Sequence, residues 1–172
     1  MMAREIIRNM HKQQISGGYF VLLRITLGLA FFTTWLSNLI KGVFTTSGSD
    51  YGFEGTIRYF IDNSDHIATP LDTVFIDFIF PNWLIFALGW MIVELLISVT
   101  LTFGLFTRAG SIIGAGSTIV LGIGALGVDW PWTYVLLFIG FITCAFVGAG
   151  RWYGIDYWLK DKLPDRIAYF LV

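Results

Sequence analysis

Two ionisable residues, Glu94 and Arg24, lie inside long apolar runs, where a charge is costly and usually has a function. With a helical rise of 1.5 Å per residue, Glu94 lies about 19 Å and Arg24 about 10 Å from the same edge of the apolar region. Glu94 could carry a proton to or from a bound substrate. Arg24 could anchor an anionic or carbonyl oxygen. We therefore predict these two residues as the catalytic groups.

Trp90 precedes Glu94 by one helical turn, so the two side chains share one face of a helix. An indole beside a protonatable carboxyl could support a quinone ring, although aromatic residues at helical spacing are often packing residues. A structural alternative also stays open for Glu94 and Arg24, which could form a polar clamp that fixes helix register. Their levels differ by about 9 Å, so they could pair only by stretching towards each other or through water.

Several common redox centres are excluded by the residue types. Haem in a membrane bundle most often needs histidine within the spans, and His11 and His66 lie outside the apolar runs. Cys144 is the single cysteine, which excludes an internal disulfide, a dithiol and a cysteine-clustered metal site. We expect Cys144 to be a small packing residue. The sequence therefore predicts no haem, no metal and no disulfide, and any electrons must pass between bound substrates or through a partner.

The composition indicates that the solvent around these residues is hydrocarbon. Of the 172 residues, 56% are hydrophobic and 13% are charged. Soluble domains hold about 45–50% apolar and about 25% charged residues. No basic stripe alternates with aromatic residues on a polar face, so nucleic acid is not an expected partner. The length allows a single transmembrane domain.

Four apolar runs predict an all-α integral membrane four-helix bundle, with spans at about 17–40, 82–106, 109–128 and 132–149. Each run is long enough to cross about 30 Å of hydrocarbon as a helix. Backbone amides find no water there, so each span must satisfy its own hydrogen bonds. The third span is rich in glycine, and the spacing of Gly110 and Gly114 predicts close packing between helices.

The basic residues predict the orientation of a multi-pass protein of the cell membrane. Eight lysines and arginines lie on the side that carries both termini, and only Lys41 and Arg58 lie on the other. Both termini are therefore predicted to be cytoplasmic. The outer loop, 41–81, is predicted to contain short helices at 53–61 and 70–80, the second along the outer interface. Thr69 could cap that second helix. The tail, 150–172, is amphipathic and suits a membrane surface.

Three short motifs resemble those of the DoxX-like membrane family. They are Arg24-Ile-Thr-Leu-Gly28 in the first span, Glu94-Leu-Leu followed by Gly104-Leu-Phe-Thr-Arg108-Ala, and the closing Gly148-Ala-Gly150-Arg151-Trp-Tyr-Gly154-Ile-Asp156. Within that family, the length and the long outer loop look most like the DoxD members. The resemblance implies the larger membrane subunit of an archaeal thiosulfate:quinone oxidoreductase, which oxidises thiosulfate to tetrathionate and reduces a membrane quinone. It also implies a smaller partner subunit, called DoxA.

Three functions stay open at this point. In the first, the chain is an enzyme subunit with Glu94 and Arg24 as catalytic residues, and with Trp90 and Arg108 contacting the quinone. In the second, it is a non-catalytic accessory subunit of a haem–copper terminal quinol oxidase, which these subunits have also been described as accompanying. A small transporter is a third and weaker alternative, because four helices are few for alternating access and no repeated broken helices are visible.

Overall fold

The computed structural model describes residues 18–48, 52–63, 73–159 and 161–164. Their α-helices are α1 (Gly18–Ile40), α2 (Phe53–Asn63), α3 (Trp83–Phe103), α4 (Thr107–Gly124), α5 (Pro131–Val147) and α6 (Asp156–Leu159). The described residues form no strand, only an isolated bridge between Leu126 and Asp129. The predicted all-helical fold is therefore confirmed for this part of the chain.

Four of these helices pack side by side, each at the position of a predicted span. α1 packs along α3 and α4 along α5, while contacts of α3 with α4 and of α1 with α5 join the two pairs. Their shared core is apolar and includes Leu27, Ile97, Leu101, Phe141 and the buried Cys144. The prediction of Cys144 as a packing residue is thus confirmed.

Two helices, Tyr19–Ile40 and Phe75–Phe103, are long and apolar enough to cross a membrane. Only 22% and 28% of their apolar windows are buried, which is unlike the core helix of a soluble protein. Large side chains such as Leu22 and Ile85 point outwards instead. α5 is apolar but shorter. That the four helices cross the membrane as a bundle, and that both termini are cytoplasmic, stay predictions.

The outer loop contains the first predicted short helix, as α2, but the second is not a separate element. A π-helical turn, Phe75–Ile79, and a 3-10 turn, Phe80–Asn82, run directly into α3. Pro81 has no backbone N–H, and its ring would clash with the carbonyl four residues earlier in a regular α-helix. The π and 3-10 turns keep the chain helical around this proline. The predicted cap at Thr69 and the start at Pro70 lie outside the described residues.

Glycines let the helices approach closely at the predicted positions. A Cβ on Gly110 would collide with Thr100 of α3, and a Cβ on Gly114 would collide with the Phe141 ring of α5. The predicted close packing of the glycine-rich helix is therefore confirmed. Gly104 and Gly148 end α3 and α5 in the left-handed conformation, with φ of 66° and 61°. After the turn at Gly148, the chain returns to the end of the helices, where Gly154 and Asp156 contact the turn at Gly104.

Candidate functional site

The Glu94 site consists of Glu94 and Trp90 of α3 and Asn38 of α1. The side chain of Glu94 is 2% exposed. The Asn38 amide donates to Oε1 at 3.2 Å and to Oε2 at 3.3 Å, and the Trp90 indole N–H donates to Oε1 at 2.9 Å. A buried carboxyl is thus held by N–H donors from two helices, as buried polar groups require.

The helix geometry explains why these three residues meet. Side chains on an α-helix lean towards its N-terminus, so Glu94 leans back over the preceding turn and onto Trp90. α1 and α3 pack side by side, which brings Asn38 opposite this turn. Asn38 and Trp90 are half-buried whereas Glu94 is buried. The carboxyl is therefore more enclosed than the two residues that donate to it.

Arg24 lies at the other end of the helices and is 1% exposed. Its guanidinium packs directly on Gly104 and Gly154, where any Cβ would collide with Nη1. Asp156 is close enough to interact with it electrostatically. Nε and Nη1 of Arg24 have no hydrogen-bond partner in the described part of the chain. This guanidinium therefore fills the space between α1, the turn after α3 and the returning segment.

Asp156 is fully buried and ties the returning segment to the start of α4. Its carboxylate accepts hydrogen bonds from the backbone N–H of Phe106 at 2.6 Å and of Thr107 at 2.9 Å. An acid at a helix N-terminus is favoured by the unpaired N–H groups and the helix dipole. Burial raises the pKa of the Asp156 carboxyl, while these N–H donors and the Arg24 guanidinium oppose that effect. The backbone N–H of Asp156 in turn donates to Gly104 O at 2.8 Å.

The pairing of Arg24 with Glu94 that the sequence left open does not form. Arg24 is level with Gly104, ten residues beyond Glu94, which corresponds to about 15 Å along α3 rather than about 9 Å. The two helices run antiparallel, and each side chain leans towards the N-terminus of its own helix. The two side chains therefore point away from each other. Glu94 and Arg24 belong to two separate polar sites.

Of the four predicted site residues, the structure brings only Glu94 and Trp90 together. Arg108 lies in the first turn of α4, next to Gly148, at the Arg24 end. Sequence reasoning missed Asn38 and Asp156, which complete the two sites. An asparagine within an apolar run was a signal for the first, and the aspartate of the closing motif was a signal for the second. No group of three or more histidine, cysteine, aspartate and glutamate side chains that could hold a metal occurs among the described residues.

A family model, DoxX, matches residues 19–126, which include α1, α3 and α4. This chain belongs to the DoxX family. Arg24, Trp90, Glu94 and Arg108 of this DoxX-family chain lie within the match, whereas Asp156 lies beyond it. Comparisons with curated proteins and with solved structures gave no match. DoxX is a membrane-associated family, which agrees with the two long apolar helices and with the composition.

Proposed function

We propose that this DoxX-family chain is the membrane subunit of a thiosulfate:quinone oxidoreductase, working with a DoxA-like small subunit. Two thiosulfate ions lose two electrons and join through a new S–S bond to form tetrathionate. A membrane quinone takes up those two electrons and two protons. The buried Glu94 site is the observation that carries this proposal. Quinone reduction in a membrane requires a group that can transfer protons to the quinone in a region without water.

The residues of the Glu94 site fit a quinone oxygen. Glu94 holds a proton at Oε1 or Oε2, and the Asn38 and Trp90 N–H groups fix the orientation of the carboxyl through hydrogen bonds of 2.9–3.3 Å. Trp90 is half-buried, so part of its ring faces outwards beside the carboxyl. A flat ring can stack there with an oxygen near Glu94. Asn38 can also donate a hydrogen bond to that oxygen. Glu94 is then the residue that transfers the proton.

The other predicted residues take different roles in this proposal. Arg24 is enclosed by Gly104, Gly154 and Asp156, so we assign it to holding the end of the helices together rather than to contact with quinone. Arg108 lies at the same end, away from Glu94. Thiosulfate, a hydrophilic dianion, is oxidised at an aqueous face of the complex, with the partner subunit contributing to its site.

The decisive experiment is a thiosulfate-dependent quinone reduction assay on purified chain, purified partner and their complex. We expect little or no activity from the chain alone and reduction of a soluble quinone analogue by the complex. Haem absorption should be absent from the chain alone. A complex that stays inert, while an associated quinol oxidase is fully active, would contradict the enzymatic proposal.

One observation favours the second candidate, a non-catalytic accessory subunit of a haem–copper terminal quinol oxidase. Both oxygens of Glu94 already accept hydrogen bonds, and the Asn38 bond joins α1 to α3. A structural clamp between two helices would use the carboxyl in this way. The two candidates predict opposite effects of the Glu94→Gln substitution discussed below.

A further inference from the structure

A cleft of about 560 Å³ lies at the end of the helices remote from the Glu94 site. Its walls include Phe103 at the end of α3, Arg151, and four aromatic residues of the closing motif and α6: Trp152, Tyr153, Tyr157 and Trp158. We call this space the aromatic cleft. Because Phe103 ends one of the two apolar helices, the cleft lies where the apolar surface of the helices meets the polar end of the protein.

The aromatic walls of the cleft are held outwards by the backbone. Tyr153 has a φ of 51°, a left-handed conformation that a bulky residue rarely adopts, and its side chain is 88% exposed. The next residues, Gly154 and Asp156, are buried and fixed against the turn after α3. Such strain persists only where the surrounding structure imposes it. Trp158 is 71% exposed and meets the Tyr157 ring edge to face, with the ring centroids 5.5 Å apart.

A positive charge lies at the edge of the same cleft. Arg151 lines the cleft and is exposed. Arg108 lies beside it, since Nη2 of Arg108 and Nε of Arg151 are each 3.7 Å from the position that a Cβ on Gly148 would occupy. The exposed guanidinium of Arg151 can donate charge-assisted hydrogen bonds to an anion with several oxygens.

We propose that the aromatic cleft binds one anionic lipid, with the headgroup phosphate on Arg151 and the upper acyl chain along Phe103 and Trp158. Guanidinium groups match the geometry of phosphate oxygens. The aromatic walls favour an amphiphile, because indole and phenol rings prefer the boundary between headgroups and hydrocarbon. A free dianion such as phosphate or thiosulfate would leave those apolar walls in contact with water.

The test uses the full chain in nanodiscs of phosphatidylcholine doped with increasing phosphatidylglycerol, with the bound lipid counted by native mass spectrometry. We expect one phosphatidylglycerol to be retained in preference to phosphatidylcholine. Arg151→Gln should weaken that retention roughly tenfold, the effect of losing one charge-assisted hydrogen bond. Lys162→Gln is the matched control, because this exposed residue removes the same charge close by in sequence without lining the cleft.

A second variant separates binding from folding. Trp158→Ala removes one wall of the cleft, and its high exposure means that the core should keep its packing. We expect weaker retention of phosphatidylglycerol with an unchanged melting temperature in phosphatidylcholine. Equal losses in Arg151→Gln and Lys162→Gln would show diffuse attraction and overturn the proposal. Displacement of the lipid by millimolar inorganic phosphate or thiosulfate would overturn it in favour of a small-anion site.

Discussion

At the scale of single residues, Glu94 shows which part of a buried site a sequence can predict. The spacing of four residues between Trp90 and Glu94 predicted their contact, because helix geometry is local. Asn38 lies 56 residues from Glu94 along the chain, and its contact depends on how α1 and α3 align. No local rule fixes that alignment. The local half of the site was therefore predictable and the partner on the second helix was not.

Glu94→Gln is the substitution that distinguishes catalysis from structure. Gln keeps the shape of Glu and one acceptor oxygen for the Trp90 indole, but it cannot exchange a proton. If Glu94 protonates quinone, the variant should assemble normally and lose about a hundredfold or more in turnover. The measurements are size-exclusion chromatography of the complex and the rate of thiosulfate-dependent quinone reduction.

Ser98→Ala provides the control for this substitution. Ser98 is a buried polar residue one turn after Glu94 on the same helix, and it should tolerate the change with an unaltered rate. A clamp without catalytic function predicts the reverse pattern for Glu94→Gln, with weakened assembly and an unchanged rate in the complex that survives. Normal assembly together with normal turnover would contradict both roles.

At the scale of elements, glycines on α4 set how closely the helices pack. Gly114 faces the Phe141 ring, whereas nothing lies within 4 Å of the Cβ position of Gly116, two residues later. Gly114→Ala should therefore destabilise the fold by about 1–3 kcal/mol through overpacking. Gly116→Ala should be neutral or stabilise it by up to about 1 kcal/mol, because alanine favours the helix. Thermal unfolding in a mild detergent gives both values, and equal shifts would contradict the packing described for α4.

Asp156, rather than the aromatic residues of the closing motif, holds that motif against the start of α4. Asp156→Asn removes the charge that faces the N–H groups of Phe106 and Thr107, and it leaves Arg24 without its nearby carboxylate. We expect a loss of about 2–3 kcal/mol in stability and faster tryptic cleavage at Arg151. Asp161→Asn, an exposed change a few residues later, should have neither effect. Comparable cleavage rates in the two variants would show that Asp156 does not hold this segment.

At the same scale, the neighbours of Arg24 show what the sequence left open. Counting residues placed Arg24 and Glu94 about 9 Å apart in level, whereas the structure separates them by about 15 Å, because the sequence does not fix how α1 and α3 align. The direction of its side chain depends on the antiparallel arrangement, and its true neighbours, Gly104, Gly154 and Asp156, come from a turn and from a segment more than 100 residues away. The closing motif is visible in the sequence, but its contact with Arg24 of the first helix is visible only in the folded structure.

At the scale of the whole molecule, the segregation of basic residues makes a prediction about orientation. With eight basic residues on one side and two on the other, a reporter fused after Val172 should be active in the cytoplasm. A tag near Gly48, which is exposed in the outer loop, should be labelled from outside intact cells. The positive-inside rule is the physical reason. The opposite labelling pattern would reverse the proposed orientation.

The continuous helix from Phe75 to Phe103 has a consequence for proton supply. Its 29 residues extend about 43 Å, against about 30 Å of hydrocarbon. If this helix crosses the membrane, as predicted, tilt alone would have to reach about 45°, beyond the range of up to about 40° of membrane helices, so the turns before Trp83 would stand outside the hydrocarbon. The remaining part of the helix then places Glu94 roughly 14–16 Å from either aqueous phase. At that depth the carboxyl does not exchange protons directly with either aqueous phase. Under the proposed function, the rate of turnover should therefore depend on how fast protons are conducted along a path of polar groups or water.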